Sequence, residues 1–345
     1  MVKTSYLDLQ NCNFVKAILM LAVVLCHSLA YFGGDWFTVC PVKDENYLLG
    51  QIASWLGTFC VSGFTLVSGY IYYFLRYEKE KYLKGAEFIK TKSLRLLLPY
   101  VVFSILWVIP VGCYFYNYST SDIIHKFLLG ESPQQLWFLL MLFWVFILAY
   151  YLLKKDALIR NGIIVLLILA IGCLLGIFIP DILQILTSTK FLIYFYIGFS
   201  IRERFKALSN QTMLLIGLGM AILNVTFFVA NMSSDCLGEG YAGLIMKMIF
   251  DLLTKIFGAI MAFMLLNLLA RIINNTCFAI QYLYKYSFPI YLLHQQVIFI
   301  IIYNLVGIVP SSLLVLVNFA VSVIVSCLIT NLLLRNKYSR LLLGL

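Results

Sequence analysis

The sequence predicts an all-α, polytopic membrane protein with about ten transmembrane helices and both termini in the cytoplasm. Three observations carry this. The 345 residues are 63% hydrophobic and only 12% charged, about half the charged fraction of a soluble domain, and the mean hydropathy is +0.96. Ten apolar runs lie near 14–33, 48–75, 96–118, 136–153, 162–180, 188–201, 212–231, 244–271, 286–305 and 312–334. Most approach the roughly 20 residues that a bilayer requires. Of the 25 Lys and Arg, twenty fall in the N-terminus and alternate loops, three in the other loops and two within the eighth run. Basic loops mark the cytoplasmic side. The formal net charge of +10 follows from these loops and implies no nucleic-acid partner. A single transmembrane domain over 1–345 is expected, with no internal repeat and no room for a soluble domain.

The first run, Asn13 to His27, carries a cation at its start and a histidine deep inside. No small-residue cleavage site follows it, so it is expected to be retained. Lys16 and His27 are eleven residues apart. At about 100° per residue they share one face, about 16 Å apart along the axis. Imidazole is the side chain best suited to proton transfer near neutral pH. A hydrogen bond from His27 to a neighbouring helix is the structural alternative.

The second run contains Gly63-Phe-Thr-Leu-Val-Ser-Gly-Tyr70. The segment from Arg76 to Arg95 is the most basic, and its end runs straight into the third helix. Lys92 and Arg95 are three apart, on one face at that helix's cytoplasmic end. They suit either a phosphorylated ligand or anionic lipid headgroups. His125 and Lys126 fall in an external loop, where solvation suffices. Before the fourth run comes Gly130-Glu-Ser-Pro-Gln-Gln-Leu-Trp137. Two readings stand here: Trp137 belongs to an interfacial aromatic belt, or the segment before it, with Glu131 and Gln135, covers a cavity mouth. The sixth run, Ser188 to Ile201, is too short to span and must borrow flanking residues or be broken.

In the eighth run Lys247, Asp251 and Lys255 form one stripe, expected as an ion-pair ladder. In the ninth, Ser287, Tyr291 and His294 share a face and should line a cavity or a helix contact. The nine cysteines are scattered without metal-ligand spacing, so no metal is expected. Cys40 and Cys236 both fall in external loops, where a disulfide can form.

Together these pieces resemble the acyltransferase-3 family, integral-membrane enzymes that acylate cell-surface glycans. The resemblance rests on Lys16-x10-His27, Ser68-Gly69-Tyr70, Lys92-x-x-Arg95 before Pro99, Leu136-Trp137-Phe138-Leu139, and Ser287-x3-Tyr291-Leu-Leu-His294, in the family's order. It departs where the family usually has Arg at position 16 and at position 92, an acidic residue at Asn13, and often His at Leu136.

The resemblance implies a plasma-membrane O-acyltransferase, bacterial in origin. Its donor would be cytoplasmic acyl-CoA, most commonly acetyl-CoA, held by Lys16, Lys92 and Arg95. Its acceptor would be a hydroxyl of a surface polysaccharide or lipid-linked precursor. His27 would be the general base, with His294 and Tyr291 orienting it or stabilising the oxyanion. Direct transfer and an acyl-histidine intermediate both remain open, as does a homo-oligomer.

Three rival readings remain. A glycan or lipid flippase or exporter would need neither His27 nor acyl-CoA. A sensor would carry the signature as a relic. A membrane-bound O-acyltransferase of the other class would depend on His294 and not on His27.

Overall fold

The computed structural model describes residues 2–34, 36–40, 46–205, 208–233, 240–273 and 278–344. Among these, ten helices are long and apolar enough to cross a membrane. They are α1 (Leu9–Gly33), α2 (Tyr47–Glu78), α3 (Gly85–Tyr116), α4 (Gln134–Leu152), α5 (Leu158–Phe178), α6 (Ile182–Phe205), α7 (Asn210–Ser233), α8 (Ala242–Ile273), α9 (Tyr282–Leu305) and α10 (Ser311–Leu333). The number and order agree with the hydropathy reading. Cys236, considered above as a partner for Cys40, lies outside the described residues.

Two boundaries are corrected. The third helix starts at Gly85, well before residue 96. Phe88, Lys92 and Leu96, spaced by four, are all buried. That stripe packs against the bundle, with Phe88 stacked on Tyr150, and keeps a polar segment helical. The sixth helix runs from Ile182 to Phe205, through a break at Leu183 with φ 52°. It both borrows flanking residues and is broken. Asp181 closes the break by accepting from the backbone N–H groups of Leu186 and Thr187 at 2.7 and 2.8 Å.

α3 widens into π-helical turns at Ser93–Leu97 and Ser104–Val108. Each precedes a proline, Pro99 and Pro110. Proline has no N–H for the carbonyl four residues back, and the helix accommodates the loss by a local wider turn.

α1 lies at the centre, packed on α2, α8, α9 and α10, while α2 also packs on α6 and α8. α5 rests on α6 and α7 on α8 at the periphery. Two glycines set the α2–α6 crossing. A Cβ on Gly69 would fall 2.0 Å from the Phe195 carbonyl oxygen, and one on Gly198 would fall 1.9 Å from that of Leu66. Small residues let membrane helices approach this closely, which explains the glycine in Ser68-Gly69-Tyr70. Gly198→Ala is expected to destabilise the fold by about 1–3 kcal/mol or more, because backbone has to move. The check is thermal unfolding in detergent against a control, Gly219→Ala, where a Cβ meets nothing within 4 Å.

Near this crossing Arg202, fully buried on α6, pairs in bidentate fashion with Glu78 of α2, at 2.9 and 3.2 Å. Tyr70 and Phe74 lie beneath its guanidinium, 4.5 and 4.8 Å from the ring centroids. On α8, Lys255 meets Asp251 at 2.7 Å, with both side chains partly exposed. This is the expected ladder contact.

Candidate active site

The helices bring His27 and His294 together. Nδ1 of His27 lies 2.8 Å from Nε2 of His294, and the rings are nearly coplanar at 7°. Nδ1 of His294 lies 2.8 and 3.0 Å from the carbonyls of Tyr291 and Ile290. Carbonyls only accept, so this Nδ1 carries a proton and Nε2 of His294 is the lone-pair acceptor. Nδ1–H of His27 must therefore donate to it. In a neutral imidazole this leaves Nε2 of His27 unprotonated, as a base requires. His294 sets the tautomer of His27 through backbone that its own helix supplies.

Away from the basic end, the pair is covered by aromatic rings. Trp36 stacks on His27 at 5.2 Å and meets Phe299, which Phe37 also stacks on. Gln135 and Gln296, both buried, are hydrogen-bonded to each other, and Gln135 donates to the Leu292 carbonyl at 3.1 Å. The Tyr291 hydroxyl donates to the Gln135 carbonyl. It therefore fastens the first turn of α4 onto α9 rather than pointing at His27. Gln135 locks the side beside the histidines and does not span the mouth of the cavity below.

Toward the basic end lies a cavity of about 560 Å³. Val23 and Tyr291, each one helical turn from the histidine pair, line it. Lys16, Lys92, Arg95, Lys285 and Arg340 line it too, and no carboxylate does so among the described residues. Apolar walls such as Val61, Phe64 and Leu142 complete it. Lys16, Lys92 and Arg95 lie within electrostatic reach of one another. The ammonium of Lys92, buried, sits 3.6 Å above the Phe146 ring, with Tyr82 and Phe88 alongside. Burial raises the Tyr82 phenol above its usual range, and Arg95 beside it pulls partly the other way.

All six residues singled out from the sequence thus belong to one assembly: the imidazole pair, Tyr291 at the cavity's end, and the three cations. Because α3 starts at Gly85, Lys92 lies two turns inside the helix rather than at its first turn, and it is buried. Sequence reasoning did not single out Lys285, Arg340, Trp36 or Gln296. A glutamine pair inside an apolar helix, Gln295-Gln296, was a signal for the last. His125 stays exposed, 3.3 Å from Glu131, though on a short helical turn (Ile124–Leu128) between α3 and α4 rather than in a loop.

The acyltransferase domain model of the acyltransferase-3 family matches residues 9–331. The chain belongs to that family. The match covers nine of the membrane helices fully and α10 up to residue 331. No curated protein and no solved structure matches the chain. Within the family frame, His294→Phe is expected to lower the transfer rate by roughly a hundredfold, because His27 loses the acceptor that fixes its tautomer. Donor KM should stay unchanged, and His294→Gln, which keeps an acceptor, should recover part of the rate.

Proposed function

We propose that this membrane acyltransferase moves an acyl group, most simply acetyl, from cytoplasmic acyl-CoA to a hydroxyl of a surface polysaccharide or its lipid-linked precursor, in the plasma membrane of a bacterium. The observation that carries it is the pairing of an imidazole base with a carboxylate-free basic cavity. Lys16 and His27 are separated along α1 by about 16 Å, a span that an extended pantetheine arm bridges. The phosphates would meet Lys16, Lys92 and Arg95, the arm would follow the apolar walls, and the thioester would arrive beside Val23 and Tyr291. The Lys and Arg bias favours a cytoplasmic side for the basic loops, and with that orientation the cavity mouth would open to the cytoplasm.

The reaction balances simply. Nε2 of His27 takes the proton of the acceptor hydroxyl as its oxygen attacks the thioester carbonyl. The tetrahedral intermediate collapses with cleavage of the C–S bond. The leaving thiolate takes the proton back from His27 and departs as the free thiol. The aromatic cover of Trp36, Phe37 and Phe299 would exclude bulk water, which would otherwise hydrolyse the thioester. No step calls for a metal.

The test is transfer of labelled acetyl from acetyl-CoA to glycan in membranes with and without the protein. Label in glycan only when the protein is present supports the reading. No label from any acyl-CoA, with glycan reaching the surface only when the protein is present, overturns it in favour of transport. In the same assay Arg95→Gln is expected to raise donor KM about tenfold or more, as a charge-assisted phosphate contact is lost.

A further inference from the structure

Beyond residue 331, where the family match ends, the chain does not leave the bundle. It forms a short helix α11 (Lys337–Leu342) that packs on α3 next to Pro99. Leu343 is fully buried. Gly344, at φ 69°, lies so close to α3 that a Cβ would meet the Arg95 carbonyl oxygen at 2.6 Å. The tail is thus a docked element, and it brings Arg340 and Leu334 into the cavity wall. Nε of Arg340 donates to the Leu334 carbonyl at 2.9 Å, which fixes the guanidinium at the mouth.

A second, more open recess of about 760 Å³ adjoins the cavity. It shares Lys285, Leu334 and Arg340 with the cavity and adds Arg335. It has no carboxylate among its described lining residues. The cations therefore form two groups. Lys16, Lys92 and Arg95 come from α1 and α3. Lys285, Arg335 and Arg340, all exposed, come from α9 and the tail. Coenzyme A also carries its charge in two places: the diphosphate at the end of the pantetheine arm and the phosphomonoester on the ribose 3′-carbon. The phosphomonoester bears close to two negative charges at neutral pH, and arginine presents a fork that matches it.

We propose that the C-terminal tail completes the donor site, with Arg340, helped by Lys285 and Arg335, reading the ribose 3′-phosphate in the outer recess. This rests on the acyl-CoA reading above. It makes the tail, which the family match does not include, the element that selects coenzyme A over its 3′-dephospho form.

The experiment is binding of labelled acetyl-CoA and acetyl-3′-dephospho-CoA to the full-length protein in nanodiscs of zwitterionic lipid. Wild type should bind acetyl-CoA at least about tenfold more tightly than the dephospho form. Arg340→Gln should bring that ratio toward one by weakening acetyl-CoA alone, and Arg340→Lys should restore part of it. Arg95→Gln should weaken both ligands by a similar factor and keep the ratio. Arg340→Gln weakening both ligands equally, or neither, would overturn the proposal and leave the outer cations to lipid headgroups. Wild type binding neither ligand would instead overturn the acyl-CoA reading itself, and the tail's role with it.

Discussion

His27→Ala is expected to lower acyl transfer by about 10²–10⁴-fold, the usual contribution of a positioned general base, with donor KM unchanged. The two effects separate because the groups are separate. Lys16 lies about 16 Å along α1 from the imidazole, and Lys92 and Arg95, on α3, share its end of the cavity. Removing the ring takes away the proton acceptor and leaves the phosphate contacts alone. His27→Gln should be as inactive, since an amide fills the space and cannot take a proton. The measurement is the initial rate of label transfer over a series of acetyl-CoA concentrations. Equal rates in wild type and both variants would move the chemistry to His294. A rise in donor KM with kcat unchanged would mean that His27 binds donor and does not act on the hydroxyl.

Glu78→Gln is expected to destabilise the protein by about 3 kcal/mol, the lower part of the range for breaking a buried pair, because Glu78 is partly exposed. Arg202 is fully buried and held in bidentate fashion by Glu78. With glutamine, one neutral oxygen replaces a carboxylate, and the guanidinium keeps its charge away from water. The loss should appear as a lower unfolding temperature in detergent and as less folded protein in membranes. The double variant Glu78→Leu with Arg202→Met should recover most of it, since an apolar pair of similar volume is often as stable as the ion pair. A double variant as unstable as the single one would show that Arg202 supports the crossing through contacts other than Glu78.

The number of membrane helices was legible because a spanning segment must be long and apolar whatever it packs against. The two boundaries that were not legible have local causes. Phe88 and Lys92 lie in a segment whose average polarity says loop, and only the tertiary burial of its one apolar stripe keeps it helical. The start of α6 depends on a left-handed residue, Leu183, for which leucine has no preference.

The site was legible in its parts. Lys16 and His27 share a face by helical arithmetic, as do Ser287, Tyr291 and His294. Their meeting was not, because α1 and α9 are far apart in the chain and the 2.8 Å contact depends on how the bundle closes. The tautomer that makes Nε2 of His27 a base follows from that contact and from two carbonyls of α9.

By itself, then, the sequence determined the class, the count and order of the helices, and the chemical types available inside them. Hydrophobic length and helical period are properties of each segment alone. The tertiary structure decided which imidazole holds which, which cations share a cavity, that Tyr291 fastens the start of α4 instead of facing the base, and that the tail returns to the site. These are contacts between distant segments, set by packing such as the glycine crossing of α2 and α6, and no local pattern encodes them.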